Sequence, residues 1–169
     1  MALTVDDLAH HINTAPPADP SQDRIEMQRA VDTAVQEVTR ATGMLGARTV
    51  TVTVRAIRGR LLLPYVRLAS IGAVTDPGEL AVTPTDSDPQ AGLVDVGWSS
   101  TTSGAWSVVC TGEEWPAALT TAALDWAAHL YDVQRLSTQP VDADEPTPTY
   151  SLPNRVEELI RPYRLPGAA

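Results

Sequence analysis

A chain of 169 residues fits one domain with a modest core. Its hydrophobic share of 43% excludes wholesale disorder, yet no apolar run reaches the length needed to cross a bilayer. A net charge of −9 argues against tight duplex binding through counterion release.

The first residues, Met1 to Asp7, lack the basic and apolar regions of a signal peptide, so synthesis in the cytosol is expected. Thr4 is placed to cap a short helix running to about Ile12, with Asp6 and Asp7 in its first turn. Three prolines between Asn13 and Pro20 end it. Ser21 or Asp23 then caps a longer helix, in which Met27, Val31, Ala34, Val38 and Ala41 form one apolar stripe and Gly43 is the stop. From Thr49 to Arg55 the pattern changes to alternation, with Val50, Val52 and Val54 on one face of a strand. Arg58–Gly59–Arg60 suits a turn, and Pro64 should end the following strand or place it at an edge. Further strands are expected at 71–75, 92–96 and 105–111. Asp76 to Gln90, with three prolines and four acids, reads as a surface loop. Pro116 opens a helix to about Leu136, with Leu119, Ala123, Trp126, Leu130 and Val133 along one face. Residues 138–153 are acidic and proline-rich, the composition of a linker. A last short helix at 154–161 carries Val156, Leu159 and Ile160, before a tail with Tyr163, Arg164 and Leu165. The fold class that follows is α+β, mainly α. It is a helical bundle of long helices at about 22–42 and 116–136, with a small antiparallel β insert at about 48–111 and a C-terminal tail helix. The domain plan is 1–137, a linker at 138–153, and a docking helix and tail at 154–169.

Charge is uneven along the chain. Residues 1–85 hold eight Arg against nine acids, and residues 86–169 hold four Arg against twelve. No acid lies between Glu37 and Asp76, a window that contains Arg55, Arg58, Arg60 and Arg67. The β insert is therefore a basic patch in an acidic chain, and either a solvated sheet face or a docking surface for an acidic partner or for nucleic acid. All the basic residues are arginine and Phe is absent, as in the proteins of a GC-rich genome. Chemical constellations are sparse. Asp125, His129 and Asp132 share a helix face at ligand-like spacing, though they also suit the polar border of an apolar stripe. His10 and His11 are adjacent and diverge around a helix. Cys110 sits in an apolar run, where it fits a small buried hydrophobe. Nucleophile elbow, phosphate loop and paired-cysteine motifs are missing, so the chain reads as a non-enzyme without a cofactor.

The order of features carries a resemblance. Leu3-Thr4-Val5-Asp6-Asp7-Leu8 opens a short helix before a long one, and the insert contains Leu63-Pro64-Tyr65-Val66 followed by Ile71 and Val74. A strand ends near Gly112, Trp115-Pro116 opens a helix holding Leu130-Tyr131, and the tail reads Pro162-Tyr163-Arg164. This combination resembles the head-to-tail connector, or adaptor, proteins of long-tailed bacteriophages and related prophages. The resemblance implies a structural virion protein made in the host cytoplasm. Its subunits form a homo-oligomeric ring, commonly dodecameric, beneath the portal protein and next to a neck stopper or tail-terminator protein. Genomic DNA passes through the ring's channel without sequence-specific binding, and no membrane is involved. Twelve copies would carry about −108, so exposure to solvent or pairing with arginines on neighbouring subunits must relieve the repulsion. The residues expected to bind partners are Arg55, Arg58, Arg60 and Arg67 in the insert, and Val156, Leu159, Ile160, Tyr163, Arg164 and Leu165 in the tail, the latter toward the portal. Two alternatives stay open: a tail-completion or stopper ring, and a small cytosolic binding domain or metal-dependent enzyme using Asp125, His129 and Asp132.

Overall fold

Residues 3–97, 104–137 and 152–165 are described by a computed structural model. They divide into a helical unit, residues 3–42 with 116 onwards, and a sheet unit, residues 43–115. In the helical unit, α1 (Val5–His11) starts where the sequence places it. The Thr4 hydroxyl accepts from the Asp7 N–H at 3.2 Å, and the Asp7 carboxylate accepts from the Thr4 N–H at 2.9 Å, a reciprocal cap. α2 (Gln22–Thr42) opens with the Ser21 hydroxyl accepting from the Arg24 N–H, and Gly43, at φ 66°, ends it. α3 (Ala117–Ser137) follows Pro116, whose carbonyl accepts from the Leu119 and Thr120 N–H groups. Val5, Leu8, Met27, Val31, Ala34, Leu130 and Tyr131 form the shared core of α1, α2 and α3. α4 (Asn154–Ile160) lies on α3, runs into a 3-10 turn at Arg161–Tyr163, and is followed by Leu165, whose N–H donates to the Ala41 carbonyl at the end of α2.

The sheet unit contains β1 (Thr49–Ile57), β2 (Arg60–Leu62), β3 (Leu68–Thr75), β4 (Ala81–Val82), β5 (Asp86–Asp88), β6 (Leu93–Asp95) and β7 (Ala105–Gly112). They form one antiparallel sheet in the order β4-β3-β7-β1-β2-β6-β5. Along β1, Val50, Val52 and Val54 turn inward and the threonines outward, as the alternation predicts. The core holds Leu45, Leu61, Leu68, Val74, Val94, Trp106, Val108 and Cys110. Close approach is built in at Gly112, where a Cβ would strike the Gly46 carbonyl and come within 2.8 Å of Leu45 Cβ. Trp115 closes the unit by donating its indole N–H to the Met44 carbonyl at 3.0 Å.

The expected mainly helical bundle with a small β insert at 48–111 is incorrect. The sheet has seven strands and a hydrophobic core of its own. One reason lies between Asp76 and Gln90, where composition predicted a surface loop and the chain instead forms β4 and β5. Strands of two and three residues are too short to show a period, and Asp86, Ser87 and Asp88 are all exposed on an edge, where polar residues guard against further pairing. β2 ends before Pro64, as the sequence suggests, and lies between β1 and β6 instead of at an edge. The expected linker falls almost wholly at 138–151, outside the described residues.

Candidate interaction surface

The two-residue turn Arg58–Gly59, with φ of 53° and 78°, reverses β1 into β2. The resulting register decides which side chains share the outer face. Ile57 pairs with Arg60, Arg60 with Asp95 and Leu62 with Leu93, while Ala56, Leu61 and Val94 fall on the opposite, core-facing side. Asp86 and Asp88 extend the outer face across β5. Ile57, Arg58, Arg60, Leu62, Leu93 and Asp95 line an open groove there. Its apolar floor is wet, with Ile57 59% and Leu62 58% exposed. Arg60 reaches Asp95 at 3.6 Å, a solvent-screened pair that contributes little to stability. Arg55 and Arg58 have no ion-pair partner among the described residues, and their charge faces outward.

Arg67 lies elsewhere. It precedes β3 with φ 52°, its N–H donates to the Gln90 carbonyl and its own carbonyl accepts from the Glu113 N–H. Leu68 faces Gly112 at one end of β7, whereas Arg55 faces Ala105 at the other. Seven strand residues separate the two sites, roughly 24 Å. The fold thus gathers Arg55, Arg58 and Arg60 and sets Arg67 apart.

In the tail, Val156 and Ile160 are buried at 0% and 3% exposure, while Leu159, Tyr163 and Leu165 are half-buried. Arg164 is exposed and donates to Glu157 at 2.6 Å. The α3 residues Asp125, His129 and Asp132 do not converge. Asp125 is engaged by His11 at 2.8 Å and by Arg155 at 3.1 Å, so its carboxylate ties α1, α3 and α4 together. His129 Nε2 is buried without a hydrogen-bond partner, and Asp132 is exposed. Among the described residues, no group of three or more His, Cys, Asp or Glu is placed to hold a metal ion. Cys110 is fully buried, and burial pushes its thiol pKa up, which favours the unreactive protonated form.

Sequence reasoning singled out the arginines but not the exposed leucine and isoleucine beside them. Leu61 and Leu62 are adjacent and identical, and only the hairpin register separates a core residue from a surface one. Leu80, in the turn before β4, is 67% exposed.

No family model and no curated protein matches the sequence. Solved structures match its fold along nearly the whole chain. One is a chain from the virion of a native gene transfer agent particle: 20% identity, TM-score 0.64, covering 99% of this chain and 94% of that one. Another comes from the neck of an empty particle of this kind, computed with C6 symmetry, at 17% identity and TM-score 0.63, covering 96% and 89%. A third, from the neck of the native particle computed with C12 symmetry, has 16% identity and TM-score 0.61, covering 96% and 88%. At these identities the shared property is the fold.

Proposed function

We propose that this chain is a structural subunit of the neck of a phage-like particle, acting as the head-to-tail adaptor. The observation that carries the proposal is the likeness of fold, over 96% of the chain or more, to chains from gene transfer agent necks. The ordered features that resemble phage connector proteins support the same reading. The subunit forms a homo-oligomeric ring under the portal, and the C12 symmetry used for the native neck is the copy number of a dodecamer. Its work is mechanical: it joins capsid to tail and leaves a channel for DNA. An acidic chain suits a channel wall, because repelled DNA does not adhere while it moves.

Arg55, Arg58 and Arg60 form the contact of the sheet unit with an acidic neighbour, and Arg67 is a separate point of contact. The tail, from Val156 through Leu159 and Ile160 to Tyr163, Arg164 and Leu165, reaches the portal. Because Val156 and Ile160 are the buried residues of α4, which packs on α3, they become available only if α4 leaves α3.

The test is charge reversal in a particle-producing background. Arg55→Glu, Arg58→Glu and Arg60→Glu together should yield filled heads and free tails that remain unjoined, counted by negative-stain microscopy. Normal particles from this variant would overturn the assignment. Pull-down with purified portal separates the adaptor position, which binds it, from a stopper or tail-completion position, which does not.

A further inference from the structure

The sheet unit carries both halves of a contact that a single copy cannot complete. One half is the groove of β1, β2 and β6, with its exposed Ile57 and Leu62 and the arginines of the hairpin around it. The other is the turn between β3 and β4. There the Asp76 carboxylate accepts from the N–H groups of Gly78 and Leu80, both at 2.9 Å, and the Asp76 N–H donates to the Leu80 carbonyl. The Glu79 N–H donates to the Asp76 carbonyl at 3.0 Å, with Glu79 held at φ 64°. A turn with this many internal hydrogen bonds is preorganised, so ordering it on binding costs little. What it presents is Leu80, 67% exposed, with the exposed carboxylate of Glu79 beside it.

Of the four large hydrophobic residues exposed in the described chain, three are Ile57, Leu62 and Leu80, in the groove and on the turn. Their charges are complementary. The groove's hairpin supplies Arg55, Arg58 and Arg60, with Asp95 on the groove floor, whereas the turn from Asp76 to Leu80 carries two acids, Asp76 and Glu79, and no arginine. Within one copy the turn does not pair with the strands of the groove: β3 is separated from β1 by β7, two strand spacings or roughly 10 Å.

Resting on the ring assembly proposed above, we infer that Leu80 of one copy seats in the Ile57–Leu62–Leu93 groove of the next, with Glu79 against Arg58. The occupant is a second copy of this chain. Knob and groove are different surfaces, so the contact is head-to-tail and repeats from copy to copy, the kind of interface that closes into a ring. Arg60 already has Asp95 beside it at 3.6 Å, so Arg55 and Arg58 are the arginines left for the incoming acid.

The experiment uses two full-length variants. Leu80→Asp lacks the knob and keeps the groove; Leu62→Asp lacks the groove and keeps the knob. Under conditions where the parent chain oligomerises, each alone should remain monomeric by light scattering. Their equimolar mixture should give heterodimers and nothing larger, because one competent contact is left per pair. Both positions are exposed, so circular dichroism should match the parent. A second pair, Glu79→Cys mixed with Arg58→Cys, should form a mixed disulfide dimer in excess of either chain alone, with Cys110 buried and silent. Leu80→Asp chains that assemble to parental size would overturn the knob and leave the ring standing. A parent chain that stays monomeric at every concentration, with no mixed disulfide, would overturn the ring and the contact together. Assemblies larger than dimers in the variant mixture would overturn the head-to-tail geometry.

Discussion

Adjacent leucines in β2 give the sharpest test of the sheet register. Leu61 is fully buried, facing Ala56 on β1 and Val94 on β6, and Leu62 is 58% exposed on the other face. Truncating a fully buried leucine to alanine removes its transfer free energy and leaves a cavity, about 2–5 kcal/mol in total. Truncating an exposed one changes stability by about 0.5 kcal/mol or less. Leu61→Ala should therefore lower the urea midpoint by roughly 1–2.5 M, taking a denaturant slope of about 2 kcal/mol/M, and Leu62→Ala should hardly move it. Urea titration followed by tryptophan emission reads this directly, since Trp106 is buried in the sheet core and Trp115 closes the same unit. Slipping the hairpin by one residue would exchange the two faces, so the sensitivities would swap. Equal losses at both positions, or a larger loss at Leu62, would refute the register. The pair also separates stability from assembly: Leu61 variants should weaken folding, and Leu62 variants should weaken contact between copies.

Cys110 should react with a thiol reagent such as Ellman's only after denaturation, because burial raises its pKa and blocks access. The linkage has a sign: above about pH 8.5 the unfolded thiol ionises first, so stability falls as pH rises through that range and Cys110→Ala should flatten the fall. Native reaction at the rate of a free thiol would contradict the burial. Gly92 is held at φ 65°, with its Cα facing the Tyr65 carbonyl so closely that a Cβ would collide with it. Gly92→Ala should cost more than about 1 kcal/mol, a drop in melting temperature of at least about 2 °C by calorimetry. An unchanged melting temperature would show that the backbone there is not constrained.

Elements with a strong period were legible before any coordinates. The capped helices at Thr4 and Ser21, the stop at Gly43, the alternating strand Thr49 to Arg55 and the helix after Pro116 all appear where local chemistry puts them, since capping, helical spacing and strand alternation act over a few residues. The weight of the sheet was not legible. β4 and β5 are defined by the strands they pair with, not by their own composition, and Asp86-Ser87-Asp88 carries no trace of a strand in its side chains. Of the basic residues gathered by the sequence window, the fold keeps Arg55, Arg58 and Arg60 together and places Arg67 at the far end of β7.

By itself, the sequence determined the helices, the acidic balance, the arginine-rich window and the scarcity of motifs for chemistry, because each is a property of neighbours along the chain. Tertiary structure alone decided that seven strands join into one sheet with its own core. It also decided that Asp125 is tied to His11 and Arg155, and that Leu62 and Leu80 stand in water while Leu61 does not. The physical reason is that exposure and pairing depend on strand register and on residues distant in sequence, and a shift of one position would reverse which leucine the solvent meets.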